Sequence, residues 1–165
     1  MKLKFQTFLL LVLVLSGVAG CGFTVWYLML PTDEELICEA VAGIATALSA
    51  PYKNDLQGQT ENIAALKPYL GEKIRMELPG YRYVGIFSRQ QVLGDYFIIR
   101  KRLSNLKVLV SDMVVTFPED REKTACVQLT AKVSWRKKEQ TPCTVMLTMR
   151  KESGDWLVTG VRKEE

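Results

Sequence analysis

The chain has 165 residues, a formal net charge of +4 and no histidine. The missing histidine excludes a Ser-His-Asp triad, a Cys-His pair, a histidine general base and any metal site built on imidazole. All 18 acidic and 20 of the 22 basic residues follow Pro31, which leaves that part only about +2, so no nucleic-acid partner is implied.

The N-terminal stretch reads in two ways. Lys2 and Lys4 precede a charge-free apolar run, Phe5–Leu30, and Asp33-Glu34-Glu35 follow it. As a helix this run spans about 39 Å, enough to cross a hydrocarbon layer of about 30 Å. The lysines place the N-terminus in the cytoplasm and the chain after Pro31 outside, with Trp26 and Tyr27 at the outer interface. The competing reading takes Val18-Ala19-Gly20-Cys21 as the end of a lipoprotein signal, cut before a lipidated Cys21, with Phe5–Leu15 as its apolar core. Phe23 to Leu30 stay largely apolar where a polar tether would be expected, which favours the uncut anchor. Both readings export residues 32–165 as one extracytoplasmic domain held at a bacterial cell membrane.

Thr32-Asp33-Glu34-Glu35 has the form of a capping box, and apolar residues at helical spacing run from Leu36 to Leu48 until Pro51 ends them. Asn54–Gln59 is expected as a loop. A short helix is expected over about Thr60–Leu70, with Pro68 kinking or restarting it. Lys73–Leu78 alternates polar and apolar, which favours a strand, and Pro79-Gly80 turns it into a second strand at Tyr81–Phe87. Ser88-Arg89-Gln90-Gln91 opens a third helix, whose expected inward stripe is Val92, Tyr96, Ile99 and Leu103. Four strands follow: Leu106–Phe117, Thr124–Lys137, Cys143–Lys151 and Trp156–Lys163, with Ser153-Gly154-Asp155 closing the last hairpin.

None of Cys21, Cys38, Cys126 and Cys143 forms a C-x-x-C pair, so neither a redox motif nor a zinc ribbon is indicated. Strand parity puts Cys126 on the polar face and Cys143 on the apolar one, which opposes a disulfide between them. Cys38 and Cys143 are expected as small buried thiols. No metal and no cofactor is implied.

The order helix, helix, strand, strand, helix, four strands resembles the nuclear-transport-factor-two-like superfamily, which includes ketosteroid isomerase and the SnoaL-like cyclases. The stretches carrying the likeness are Glu34–Leu48, LKPYLGEKIRMELPG at Leu66–Gly80, the SRQQVL helix start at Ser88, and SGDWLVTGV at Ser153–Val161. The resemblance implies an α+β cone of about three helices on a strongly curved, mainly antiparallel sheet of about six strands. It also implies an apolar pocket at the open end and homodimers formed through the outer sheet face. Members of the superfamily range from isomerases and dehydratases to non-catalytic binding modules, so fold alone does not choose a function.

Without histidine, acid–base chemistry must rest on Asp, Glu or Tyr. Asp112 shares strand parity with Val108, Val110 and Val114, and a carboxylate held among valines is the weak catalytic candidate; the alternative is that Ser111-Asp112 marks a bulge facing solvent. Tyr69, Tyr96 and Trp135 are the other pocket candidates, each more simply read as core packing. The basic runs Arg100-Lys101-Arg102 and Arg136-Lys137-Lys138 read as a solvated helix end and hairpin tip, or as a patch for anionic headgroups. The leading expectation is a membrane-anchored, extracytoplasmic, non-catalytic binding or assembly module, with a small apolar ligand among its candidate partners. The alternatives are a pocket isomerase or dehydratase using Asp112 with a tyrosine, and a structural subunit of an envelope complex.

Overall fold

A computed structural model describes residues 31–51, 56–78, 80, 83–103, 105–119, 123–135 and 138–164. The expected anchor at 5–30, Cys21, Tyr81 and Arg136-Lys137 lie outside the described residues. Among the described residues no helix is long and apolar enough to cross a membrane. Residues 34–165 form a compact unit.

Helix α1 spans Asp33–Ser49 and buries Ile37, Ala40, Val41 and Ala47, one stripe of the spacing read from the sequence. Helix α2 spans Leu56–Leu66, so its first turn takes up part of the stretch expected as a loop. Pro68 sits in a 3₁₀ turn, Lys67–Tyr69, and the chain restarts there as a strand rather than continuing a helix. Strand β1 therefore runs over Leu70–Leu78, three residues earlier than the alternation at Lys73 suggested. β2 is Tyr83–Ser88 and α3 is Arg89–Arg102. β3 (Lys107–Thr116), β4 (Thr124–Trp135), the two-residue β5 (Lys138–Glu139), β6 (Cys143–Glu152) and β7 (Asp155–Lys163) complete the chain.

The start of α3 is the capping box expected from SRQQ. The Ser88 hydroxyl accepts from the Gln91 amide at 3.3 Å, and the Gln91 side chain accepts from the Ser88 amide at 2.8 Å.

The six main strands form one mixed sheet in the order β2-β1-β7-β6-β4-β3, with β5 paired to β4. β1 and β7 are parallel and every other pair is antiparallel. The fold class is thus the α+β arrangement of three helices on a curved sheet. Register shifts interrupt β1/β7 between Leu70 and Arg75, β3/β4 between Ser111 and Val114, and β6/β7 between Thr148 and Met149. Each inserts residues on one strand, sharpens the local twist and bends the sheet. The helices cover the concave side: Ile37 and Val41 of α1 and Leu93 and Tyr96 of α3 share a core with Ile74, Val127, Met149 and Trp156 of the sheet.

One glycine is needed for this packing. A Cβ on Gly43 would fall on the Tyr69 hydroxyl, so the bare backbone lets Tyr69 seat against the middle of α1. Cys38, Cys126 and Cys143 are free and half-buried, and Cys143 pairs in register with Ala131 while Cys126 faces Thr148.

Candidate functional site

Bending the sheet around α1 leaves a cavity of about 250 Å³. Ile44 and Leu48 of α1, Ile74 and Met76 of β1, and Leu129 and Val145 of β4 and β6 are among its walls. The remaining described lining residues are likewise aliphatic, so among the described residues Met76 sulfur is the only side-chain heteroatom in the wall. The parity of the strands produces this lining. Inward positions on β4 and β6 run Leu129, Ala131 and Val145, Leu147, and β7 switches its inward set from Val158 to Val161 across the shift near Thr159.

Beside the cavity lies an open groove of about 680 Å³ between α1 and the edge strand β3. Cavity and groove share Val41, Ala45, Val108 and Val110, so they meet along the same stretch of α1 and β3. The groove adds Thr46, Ser49, Ala50 and Pro51 at the C-terminal end of α1, together with Met113.

Polar chemistry gathers at that helix end rather than in the cavity. Ser49 clips α1 to β3: its Oγ accepts from the Val108 amide at 2.9 Å and donates to the Val108 carbonyl at 3.3 Å. The Tyr96 hydroxyl donates to the Ala47 carbonyl at 3.0 Å, and Arg100 Nη2 donates to the Ala50 carbonyl. The last carbonyls of a helix have no intrahelical partner, and α1 has no basic residue in its own last turn. Tyr96 and Arg100 of α3 donate to these carbonyls, and Arg100 is also the cation that suits the negative helix end. Burial pushes the Tyr96 phenol above its ordinary value, partly offset by the charge and hydrogen bond of Arg100.

Among the described residues, none of the four pocket candidates lines the cavity. Asp112 is exposed, with its carboxylate accepting from the Ser111 hydroxyl at 2.9 Å and its backbone at φ 51°. The register shift between Ser111 and Val114 is the reason. Parity holds through Val108 and Val110, then slips, so Met113 and Val115 turn inward while Ser111, Asp112 and Val114 face out. Of the two readings of Ser111-Asp112, the bulge facing solvent is the one found, and the carboxylate held among valines is not. Tyr96 is buried core with its hydroxyl on α1, Tyr69 packs on Gly43, and Trp135 is half-buried at the end of β4 opposite Lys138. Trp156 is core packing, buried and edge-on to Phe117 at 6.0 Å between centroids. No three Cys, Asp or Glu side chains among the described residues converge as metal ligands would.

No known family profile matches the chain, and no curated protein does. Solved structures do. An NTF2-like protein from Cytophaga hutchinsonii is 13% identical, with a TM-score of 0.58 over 81% of this chain and 98% of that one. A candidate dehydratase of the NTF2-like family from Streptomyces avermitilis is 14% identical, with a TM-score of 0.57 over 79% of this chain and 94% of that one. A candidate aromatic-ring hydroxylase from Novosphingobium aromaticivorans is 13% identical, with a TM-score of 0.61 over 80% and 87%. The chain has the nuclear-transport-factor-two-like fold.

Within that fold, sequence reading missed one residue that dominates the polar end of the site. Arg100 is 1% exposed, although its place in the run Arg100-Lys101-Arg102 suggests a solvated helix end. The buried stripe of α3 is Leu93, Tyr96 and Arg100, while Ile99 is 40% exposed. Helical spacing from Tyr96 fits both Ile99 and Arg100, and preferring the apolar one put the stripe one residue off. A usable signal was present: α1 ends without a basic residue and needs a cation from elsewhere.

Proposed function

We propose that residues 32–165 form a non-catalytic module that binds a small apolar molecule, held at the outer side of a bacterial membrane. The observation that carries the reading is the wholly aliphatic wall of the 250 Å³ cavity. Apolar cavities of about 150 Å³ are known to stay dry and admit benzene-sized guests, so this one has room for a somewhat larger hydrocarbon. Catalysis requires a titratable or hydrogen-bonding group within reach of the reacting atoms, and among the described residues the wall offers none. The membrane part of the reading rests on Lys2, Lys4 and the apolar run 5–30, or on lipid at Cys21. Intact mass of membrane-extracted protein separates the two: a full-length unmodified mass supports the helix, and loss of residues 1–20 with added acyl mass supports the lipid.

The binding reading is tested by titrating the full-length protein with naphthalene and 1-octanol while following melting temperature. A saturable rise is expected, because a ligand that binds only the folded state stabilises it by mass action. No rise at the solubility limit of either compound would count against an accessible cavity.

A pocket isomerase or dehydratase is the second reading, supported by one similar structure's description as a candidate dehydratase. Its expected acid, Asp112, faces solvent with its carboxylate on Ser111, which counts against it, and unchanged turnover in Asp112→Asn would dismiss it. Homodimers through the outer sheet face belong to the same set of proposals. Val84 and Ile86 on β2, with Leu109 and Val114 on β3, are exposed on that face at its two edges. Sedimentation of wild type against Ile86→Lys measures whether those side chains are used.

A further inference from the structure

Helix α1 shows how the cavity and the groove join. Its Ile44 and Leu48 face the cavity alone, Ala42 and Thr46 face the groove alone, and Val41 and Ala45 line both. At 3.6 residues per turn these sets are neighbouring stripes on the helix, with the shared pair in the middle. Val108 and Val110 of β3 are shared in the same way. These four residues form a neck, with the 250 Å³ cavity on one side and the 680 Å³ groove on the other.

Among the described residues neither wall holds a charged side chain or an aromatic ring. The hydroxyls that line the groove are already engaged with backbone: Thr46 donates to the Ala42 carbonyl at 2.9 Å, and Ser49 bridges the Val108 amide and carbonyl. Cys38 adds only a thiol, a weak donor. A charged headgroup would find no strong partner there, whereas hydrocarbon would gain by covering the apolar wall. Size then sets the shape of the guest. A cavity of about 150 Å³ takes benzene, which has six carbons, so 250 Å³ holds about ten. A guest with more carbons has to pass the neck, where it turns from one stripe of α1 to the next. A flexible chain makes that turn by rotating single bonds between staggered wells, and a ring of equal carbon number cannot.

Resting on the apolar-ligand reading and narrowing it, we infer that the site takes a single-chain amphiphile whose unbranched hydrocarbon chain is longer than about ten carbons. The chain end fills the cavity and the middle passes the neck between Val41 and Ala45 on α1 and Val108 and Val110 on β3. The rest lies along Ala42 and Met113 in the groove, and the headgroup stays in solvent.

The test titrates full-length protein with 1-hexanol, 1-octanol, 1-decanol, 1-dodecanol and cyclododecanol. Affinity for the free aqueous alcohol is read from the melting-temperature rise. Each two carbons up to ten are expected to tighten binding about tenfold, the value of two buried methylenes. The step from ten to twelve is expected to add about threefold, because the open groove covers the chain on fewer sides. 1-Dodecanol is expected to bind about tenfold more tightly than cyclododecanol, which has the same carbon count but cannot pass the neck. Ala42→Glu places a charge at an exposed position that lines the groove and not the cavity. It is expected to leave hexanol and octanol affinities unchanged and to cancel the gain from ten to twelve carbons. A rise that stops at ten carbons in wild type would overturn the chain inference and leave the apolar-ligand reading standing, and this comparison needs no variant to fold. Cyclododecanol binding as tightly as 1-dodecanol, or a gain that survives in Ala42→Glu, would overturn it too. Failure of every alcohol to bind would remove the apolar-ligand reading and this one with it.

Discussion

Ala45→Leu tests the cavity at the point where it meets the groove. Ala45 lies on α1, is half-buried and lines both spaces. Leucine adds three carbons, and at about 0.8 kcal/mol for each one buried the gross gain is about 2.4 kcal/mol. Fixing the new side chain costs about 0.5–1 kcal/mol in rotamer freedom, and helix propensity changes little between the two residues. A net stabilisation of about 1.5–2 kcal/mol follows, because three carbons fit within a 250 Å³ space without forcing the wall outward. For a domain of this size the melting temperature should rise by about 5–7 °C. The assay is urea unfolding followed by tryptophan fluorescence, where the midpoint should rise at constant slope. Octanol and naphthalene should at the same time lose most of their stabilising effect, since the added side chain occupies their space. A loss of 1 kcal/mol or more would mean the leucine meets packed atoms, and would refute the existence of the cavity at this position.

Substitutions at three other positions probe the structure around the site. Tyr96→Phe removes the bond to the Ala47 carbonyl and should cost about 1 kcal/mol in urea unfolding. Burial raises the Tyr96 pKa, so the folded state keeps its proton where the unfolded chain loses one. The associated stability is fully present below pH 10 and is lost as pH rises through the folded pKa. Tyr83, raised by partial desolvation and then by the charge of Asp95, moves in the same direction, so Tyr96→Phe should abolish only part of the alkaline decline. Ser49→Ala breaks both bonds to Val108 and should cost about 1–2 kcal/mol while increasing hydrogen exchange at the Val108 amide. Asp112→Val should cost about 1–2 kcal/mol because a β-branched residue is disfavoured at φ 51°, whereas Asp112→Gly should be near neutral. If Asp112→Asn folds normally and abolishes a measured turnover, the binding reading gives way to the enzymatic one.

The local rules that the chain obeys were open to inspection in its letters. Ser88 and Gln91 form their reciprocal cap because both bonds are made within one turn and need nothing from elsewhere. The apolar stripe of α1, the alternation of β1 and the turn at Ser153-Gly154 are equally local, and each sits where its pattern places it. Together they suffice for the element order and the α+β class, and the missing histidine removes imidazole chemistry whatever the fold.

What stayed illegible depends on partners distant in sequence. Ser111 and Asp112 fit either one more step of an alternating strand or a bulge, and pairing with β4 decides for the bulge that turns Asp112 to solvent. One slipped register moves a side chain to the opposite face, so a candidate pocket acid became a surface residue. Arg100 carries the same lesson with the opposite sign. Its run of three cations reads as surface, but α1 ends 50 residues earlier in the chain with carbonyls that need a donor, and the fold brings the two together. Sequence by itself determined the elements and the chemistry that is absent. Tertiary structure alone decided which face each strand presents, how much space the bent sheet leaves, and which charge is drawn inside to meet a helix end.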